Sequence, residues 1–238
     1  MAQKLFLIPN FLHETSGSDV MPGYIKEMIK HVRAFLAEDQ KSAQRFLRKI
    51  DSAFPLTECQ FFSLNEHTKK NEAEEYLNMC FGQDIGIISE CGMPCVADPG
   101  ADIVLLAHQK DMEIIPLIGP SSIFLALCAS GLNGQNFSFN GYLPKERDER
   151  LKKIKFLEQR SNQEGQTQIF METPYRNEHL FEDILSSCRE TTWLCVACDL
   201  TSPTQMVKTL SIKNWKKEKP SLNKRPAIFL IQTLSPNP

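Results

Sequence analysis

The sequence has no apolar run approaching the ~20 residues that a helical membrane span requires. Its opening, MAQKLFLIPN, offers one lysine and only four consecutive apolar residues, Leu5 to Ile8, too short a stretch for a secretory signal. Both absences lead to the expectation of a cytoplasmic protein without a membrane partner. Excess charge of either sign is also missing. The 27 Lys and Arg face 29 Asp and Glu, for a net charge of −2, which excludes a generally basic nucleic-acid coat but not a local basic patch. Walker, GxGxxG, GxSxG and zinc-binding patterns are all lacking, so kinase, dinucleotide-dehydrogenase and hydrolase readings lose their usual support. The five histidines (His13, His31, His67, His108 and His179) are scattered and form no HExxH pair. The eight cysteines read as free thiols, because disulfide frameworks belong to oxidising compartments. Cys91 and Cys95 form one close pair and Cys195 and Cys198 another. The second pair lies in an apolar strand-like run, where residues three apart point to opposite faces and do not converge on one ion. No metal is expected.

What is present suits a globular chain. Hydrophobic residues make up 42% and charged residues 24% of 238 positions, enough for a core without disulfide staples. Short apolar runs alternate with amphipathic segments. Strands are expected at LFLI, VRAFLA, Phe61-Phe62, IGIIS and EIIPLI. Helices are expected around Ile25–Ile29 and Arg45–Leu47, over 69–80 and over 101–110. This βαβαβ order predicts a parallel sheet covered by helices. Gly119-Pro120-Ser121-Ser122 then interrupts the pattern ahead of a helix ending near Gly131. The expected domains are 1–118 and 119–238. The second half opens on FSFNGYLP, continues with a charged helix over 146–160, strand TQIFME and a helix over 178–185. It closes on TTWLCVACDL, TQMVKTLSI and PAIFLIQ. Strands without intervening helices predict a mixed second sheet. The lysine-rich segment 213–225 reads first as a solvated mobile loop and second as a phosphate-contacting patch.

In open α/β sheets ligands bind outside the carboxyl ends of strands. Three loops occupy such ends: Glu38-Asp39, residues 89–100 and residues 119–122. The middle loop is the most informative. Gly92, Pro94, Pro99 and Gly100 impose a bent path along which main-chain groups can meet a ligand. The alternative is a plain connection with Asp98 capping the following helix.

SECGMPCVADPG resembles the S-D-A-G-T-P-x-x-x-D-P-G signature of the tetrapyrrole-methylase-like S-adenosylmethionine methyltransferases. The branch that fits is the ribosomal RNA small subunit methyltransferase I type, which methylates a cytidine ribose 2′-oxygen. AEDQK resembles its A-E-D-T-R. IIPLIGPSSIFLALCASGL, FSFNGYLP, FMETPYR and CDLT match further segments in one order over nearly the whole chain. The departures are a missing P-I-G-N-L after the first strand, Glu90 for the signature Asp, Met93 for its Thr, and Arg225-Pro226 for a late G-E.

This resemblance implies two α/β domains with a cofactor crevice between them, a homodimer, and S-adenosyl-L-methionine as cofactor. By position it assigns cofactor contact to Cys91, Gly92, Met93, Pro94, Val96, Ser121, Ser122, Phe170, Met171, Leu200 and Ala227. Glu38, Asp39, Lys41 and Arg176 match polar positions on the acceptor side. For Glu38 and Asp39 a helix cap or a structural ion pair stands beside the catalytic role. The expected reaction is methyl transfer to a small-subunit ribosomal RNA ribose, with phosphate met by the helix after Pro144 and the segment 213–225. Methylation of a tetrapyrrole carbon, or cofactor binding without catalysis, are the alternatives.

Overall fold

The computed structural model describes residues 3–65, 68 and 70–233. His67 and Lys69, both named above, lie outside the described residues. The chain divides into two compact units, Met1–Ser121 and Ser122–Pro238.

The first unit runs β1 (Lys4–Ile8), α1 (Tyr24–Ile29), β2 (Ala34–Ala37), α2 (Gln40–Ile50), β3 (Gln60–Ser63), α3 (Lys70–Met79), β4 (Ile85–Ile88), α4 (Gly100–Gln109) and β5 (Glu113–Pro116). Its sheet has the order β3-β2-β4-β1-β5, and every pairing is parallel. The parallel sheet foreseen from the βαβαβ rhythm is therefore present. Ile25 and Ile29 of α1 pack with Phe46 and Leu47 of α2 in one core. Ala73 and Leu77 of α3 pack with Ile103 and Leu106 of α4 in another. Right-handed crossovers explain the division. The chain steps one way across the sheet through β1, β2 and β3, then back through β4 and β5, so the helices change face. The reversal falls between the neighbours β1 and β4, where doubly wound sheets open a crevice.

Strand β4 is central and buried on both sides, which its run Ile-Gly-Ile-Ile announces. Gly86 lets its neighbours close in. A Cβ there would lie 2.6 Å from Ile8 Cδ1 and 2.9 Å from Phe35 Cδ1.

The second unit runs α5 (Ser122–Ser130), β6 (Phe137–Tyr142), α6 (Arg147–Glu164), β7 (Thr167–Met171), α7 (Asn177–Ser187), β8 (Trp193–Cys198), β9 (Met206–Ser211), α8 (Ile212–Trp215) and β10 (Ala227–Gln232). Its sheet is mixed, as expected, in the order β6-β7-β10-β8-β9. Only β6 and β7 are parallel; β10 runs antiparallel to both β7 and β8, and β8 to β9. The charged helix α6 is longer than its apolar stripe suggests. It continues to Glu164, where Gly165 turns left-handed at φ 59° and stops it. The segment 213–225 is not the free loop that its composition favours. Trp215 is fully buried, its Nε1 donates to Leu194 O at 2.8 Å, and its ring meets Phe181 edge-on. Leu222 is buried as well, so two apolar anchors tie a lysine-rich surface to the core.

The β8 thiols are buried in the strand. Burial pushes Cys195 up to about 11. Burial, and then the charge of Asp199, push Cys198 up to about 12. An unfolded thiol ionises near 9.0, so between that value and the folded one the unfolded chain holds fewer protons. The contribution is complete below pH 9.0 and is lost as pH rises toward 11–12. The urea midpoint is expected to fall between about pH 8 and about pH 10.5. A Cys195→Ala/Cys198→Ala variant should flatten that fall, and an identical slope in the variant would refute the assignment.

Candidate functional site

The loops leaving β1, β2 and β4 meet outside the carboxyl ends of the first sheet. Asn10, two residues beyond β1, organises them. Its main chain forms an isolated antiparallel bridge with Gly92, with Asn10 N–H donating to Gly92 O at 2.9 Å and Gly92 N–H to Asn10 O at 3.2 Å. Its Nδ2 donates to Ser89 O at 2.8 Å. Buried Ser89 holds the next turn: its Oγ accepts from Cys91 N–H and donates to Cys91 O, each at 3.1 Å. Glu90 Oε1 accepts the main-chain N–H of Asp39 at 3.1 Å, tying the loop to the start of α2.

The path beyond is strained. Gly92, Cys95 and Ala97 all take positive φ, at 71°, 67° and 56°. Two of the three are not glycine, and such a cluster of left-handed residues persists only where the surroundings enforce it. Gly92 has no room for a side chain: a Cβ would lie 2.9 Å from Leu12 Cδ2 and 3.2 Å from Pro120 O. The third loop, at Pro120, thus abuts the second. Pro94 is buried, Met93 half-buried and Val96 exposed. Ser121 and Ser122, both half-buried, lie at the start of α5.

A cleft of about 440 Å³ opens on this loop, lined by Asn10, His13, Arg45, Lys49, Glu90 and Cys91 among others. Its size falls within the ~300–1,000 Å³ of small-ligand sites. Thiol chemistry is not its resource. Cys91 is exposed as a residue, but its thiol lies 3.5 Å from Leu12 O and is shifted upward by local desolvation and then by the charge of Glu90. Cys95 is pushed up to about 12 by burial and then by Asp98. Both therefore stay protonated near neutral pH. Among the described residues no group of three or more His, Cys, Asp or Glu could hold a metal ion.

Asp39 is the N-cap of α2, its side chain accepting from Ser42 N–H at 2.7 Å. Glu38 and Lys41 are exposed beside it. Asp98 does not cap α4. Its Oδ1 accepts the N–H of Gly100 at 2.8 Å, the helix starts at Gly100 and Pro99 holds the cap position. The Asp side chain closes the turn one residue earlier instead. Sequence reasoning missed Asn10, Ser89 and Lys49. Lys49 Nζ donates to Glu14 O at 3.0 Å and Ser16 O at 2.6 Å and stands 4.2 Å from the Phe11 ring centre, holding the loop that replaces P-I-G-N-L. An Asn directly after a strand and its proline was the available signal for Asn10; a lysine two turns along a helix gave none for Lys49.

The second unit carries the remaining candidates. Phe170 is fully buried and stacks on Phe229 in the core, in a strand with neighbours on both sides. Met171 is half-buried, and Ala227 is buried opposite Cys198 in the strand pairing. Leu200 lies between two left-handed residues, Asp199 at φ 49° and Thr201 at φ 69°. A β-branched residue in that region is a genuine outlier. Arg225 Nε donates to Asp199 Oδ2 at 2.7 Å and fixes this turn. Arg176 Nη2 donates to the buried Glu172 at 2.5 Å. Glu172 Oε2 and Arg176 Nε have no hydrogen-bond partner among the described residues.

The model of the tetrapyrrole (corrin/porphyrin) methylases matches residues 25–215. The ribosomal RNA small subunit methyltransferase I of Haemophilus influenzae is 28% identical over 210 residues, covering 87% of this chain and 71% of that protein. Its namesake from Halalkalibacterium halodurans is 30% identical over 173 residues, covering 69% of this chain and 57% of that protein. The chain thus spans between 57% and 71% of the length of these two relatives. A solved diphthine synthase aligns with a TM-score of 0.65 at 13% identity, over 98% of this chain and 90% of that one. The methyltransferase CobJ aligns at 0.62 and 14%, over 98% and 95%. At such identities the two structures speak for the fold alone.

Proposed function

The chain belongs to the tetrapyrrole methylase family, and on that premise we propose that it is an S-adenosylmethionine-dependent methyltransferase acting on a ribose 2′-hydroxyl of small-subunit ribosomal RNA. The observation that carries this reading is the loop at residues 89–97, placed at the switch between β1 and β4 and forced through three left-handed residues. Such a loop presents main-chain groups rather than side chains. That suits a nucleoside cofactor with a charged amino-acid tail, and it explains why Met93 in place of Thr is compatible with binding. Cys91, Gly92, Met93, Pro94, Val96 and Ser121 are the proposed contacts of the first unit. Those of the second are Ser122, Phe170, Met171, Leu200 and Ala227, a separate part of the same proposal.

When bound, the cofactor supplies an electrophilic methyl group on a sulfonium. The residues have to hold the acceptor oxygen in line at about 3–3.5 Å, and positioning of that kind supplies much of the acceleration. A ribose hydroxyl is a weak nucleophile and benefits from a nearby base or cation. Glu38, Asp39 and Lys41 are the candidates in the first unit and Arg176 in the second; Asp39 also accepts from Ser42 N–H and Arg176 also donates to Glu172. We further propose a cytoplasmic homodimer. The exposed aromatic side chains Phe124, Tyr142 and Phe156 of the second unit are consistent with a covered surface.

Calorimetric titration with S-adenosylmethionine and S-adenosylhomocysteine, followed by transfer of labelled methyl to isolated small ribosomal subunits, tests the proposal. Binding of both compounds and labelling of ribose are expected, with light scattering of the same sample giving the dimer mass. Absence of binding at millimolar concentration would refute the cofactor. Binding together with labelling of a porphyrinoid rather than the subunit would move the acceptor to the family's tetrapyrrole chemistry.

A further inference from the structure

Helix α2 carries Lys41, Arg45, Arg48 and Lys49 and no acidic residue between Gln40 and Ile50. Lys41 lies four residues before Arg45, and Arg48 and Lys49 lie three and four residues after it, which places these cations on one stripe about 12 Å long. Ala43, Phe46 and Leu47 take the buried face. Solvated helix faces ordinarily mix both signs, because like charges at this spacing repel. The helix dipole accounts for Arg48 and Lys49 in the last turn, but it disfavours Lys41 in the first.

Among the described residues none of these four cations is in an ion pair; Arg48 donates to Ser52 O at 2.6 Å and Lys49 to the carbonyls of Glu14 and Ser16, bonds that leave both positive charges without a counter-charge. Elsewhere Lys216 is held by Glu190, Arg225 by Asp199, and Arg147 and Arg150 by Asp183. Lys41, Arg45 and Arg48 are exposed. Arg45 lines the cleft beside Glu90 and Cys91, and it also lines a shallower hollow with Lys41 and Arg48. The stripe therefore leads from open surface into the cleft next to Gly92.

We propose that this stripe seats the phosphodiester backbone of the acceptor RNA, with a single strand running along α2 and Arg45 at the cleft entrance. The inference rests on the RNA reading above and adds where the strand is held. A methyltransferase that acts on one ribose within a strand needs the flanking phosphates fixed. Phosphate contacts do that without reading sequence. They also reconcile a net charge of −2 with a polyanionic substrate, since the positive charge is concentrated where the strand lies.

The test uses the full chain, a labelled single-stranded oligouridylate and isolated small ribosomal subunits, each titrated across a salt series. S-adenosylhomocysteine titration is run on every variant as the check on folding. Arg45→Gln/Arg48→Gln is expected to weaken RNA binding about tenfold at low salt and to flatten the log–log salt slope by about 1.4, or ~0.7 for each lost contact. Retained S-adenosylhomocysteine binding shows that this variant is folded; Arg48→Gln alone, outside the cleft that Arg45 lines, should match the parent's S-adenosylhomocysteine affinity while losing ~0.7 of the salt slope. Lys4→Gln/Lys110→Gln removes the same charge at the opposite ends of the strands and should leave RNA affinity near the parent value. Steep binding by the parent with an unchanged Arg45/Arg48 variant would overturn the inference and leave the RNA reading intact. Equal losses in both double variants would overturn it as well, since only general charge would then matter. Cofactor binding by the parent with no RNA binding at any salt would sink the RNA reading, and this inference with it.

Discussion

Gly92→Leu is expected to abolish S-adenosylhomocysteine binding in a calorimetric titration, while the circular dichroism of the sheet persists. Gly92 sits at φ 71° with both main-chain groups bonded to Asn10. An L-residue in that conformation costs about 1–2 kcal/mol. Overpacking adds about 1–3 kcal/mol, because the new Cβ would meet Leu12 Cδ2 at 2.9 Å and Pro120 O at 3.2 Å. The leucine tip can yield; the Pro120 carbonyl is main chain and cannot move without its loop. The strain is relieved by breaking the Asn10–Gly92 bridge, which dismantles the proposed cofactor loop and leaves β1 and β4 paired. Gly92→Ala, with the same φ problem and less bulk, should bind about tenfold more weakly than the parent, since one unit of 1.4 kcal/mol is a factor of ten. Parent-like affinity in the leucine variant would remove this loop from the cofactor site.

The largest expected stability effect lies in the second unit. Asp183→Ala should destabilise the protein by about 3–5 kcal/mol, the usual cost of stripping one partner from a buried ion pair. The Asp183 carboxylate is 4% exposed and accepts from Arg150 at 2.8 Å. The Arg150 side chain is itself 8% exposed, and its Nη1 reaches the carbonyls of Pro144 and Lys145 at 3.2 and 2.7 Å. Removing the carboxylate leaves a guanidinium in the interior with no counter-charge and no exit. Arg147, the other partner at 3.0 Å, is 68% exposed and contributes little. Urea unfolding of Asp183→Ala and of Asp183→Ala/Arg150→Met checks this. The double variant should recover part of the loss, because the stranded charge has gone. A single-variant loss below about 1 kcal/mol would contradict the account, as only surface pairs are that weak.

Much of the fold was legible because burial writes itself into short runs. Ile85-Gly-Ile-Ile could only be a strand covered on both faces, and the dense strands after residue 190 could only form a mixed sheet. The bent path through Gly92 and Pro94 was legible for the same reason, since those residue types fix backbone. Other features left no trace. Cys95 and Ala97 hold left-handed conformations that their residue types disfavour, so tertiary contacts impose them and local sequence cannot report them. Asp98 was read one position off because an aspartate that closes a turn and one that caps a helix look alike in sequence. The stripe on α2 was readable at 41, 45, 48 and 49, but it was overshadowed by the denser lysines of 213–225. Composition cannot show that Trp215 and Leu222 pin that segment to the core.

The interleaving of the first sheet also governs when the site can come into being. Strand β1 leaves the ribosome before either of its neighbours, since β4 and β5 arrive from far downstream. The hydrogen bond between Asn10 and Ser89 closes a separation of 79 positions. Contacts of such range form late, after loop-closure entropy has been met. A nascent chain that has not yet delivered β4 has a β1 with two open edges and no donor loop at all. The proposed cofactor loop can thus close only once β4 is made and paired with β1, and changes to contacts absent from the folding transition state act on the unfolding rate rather than on the folding rate.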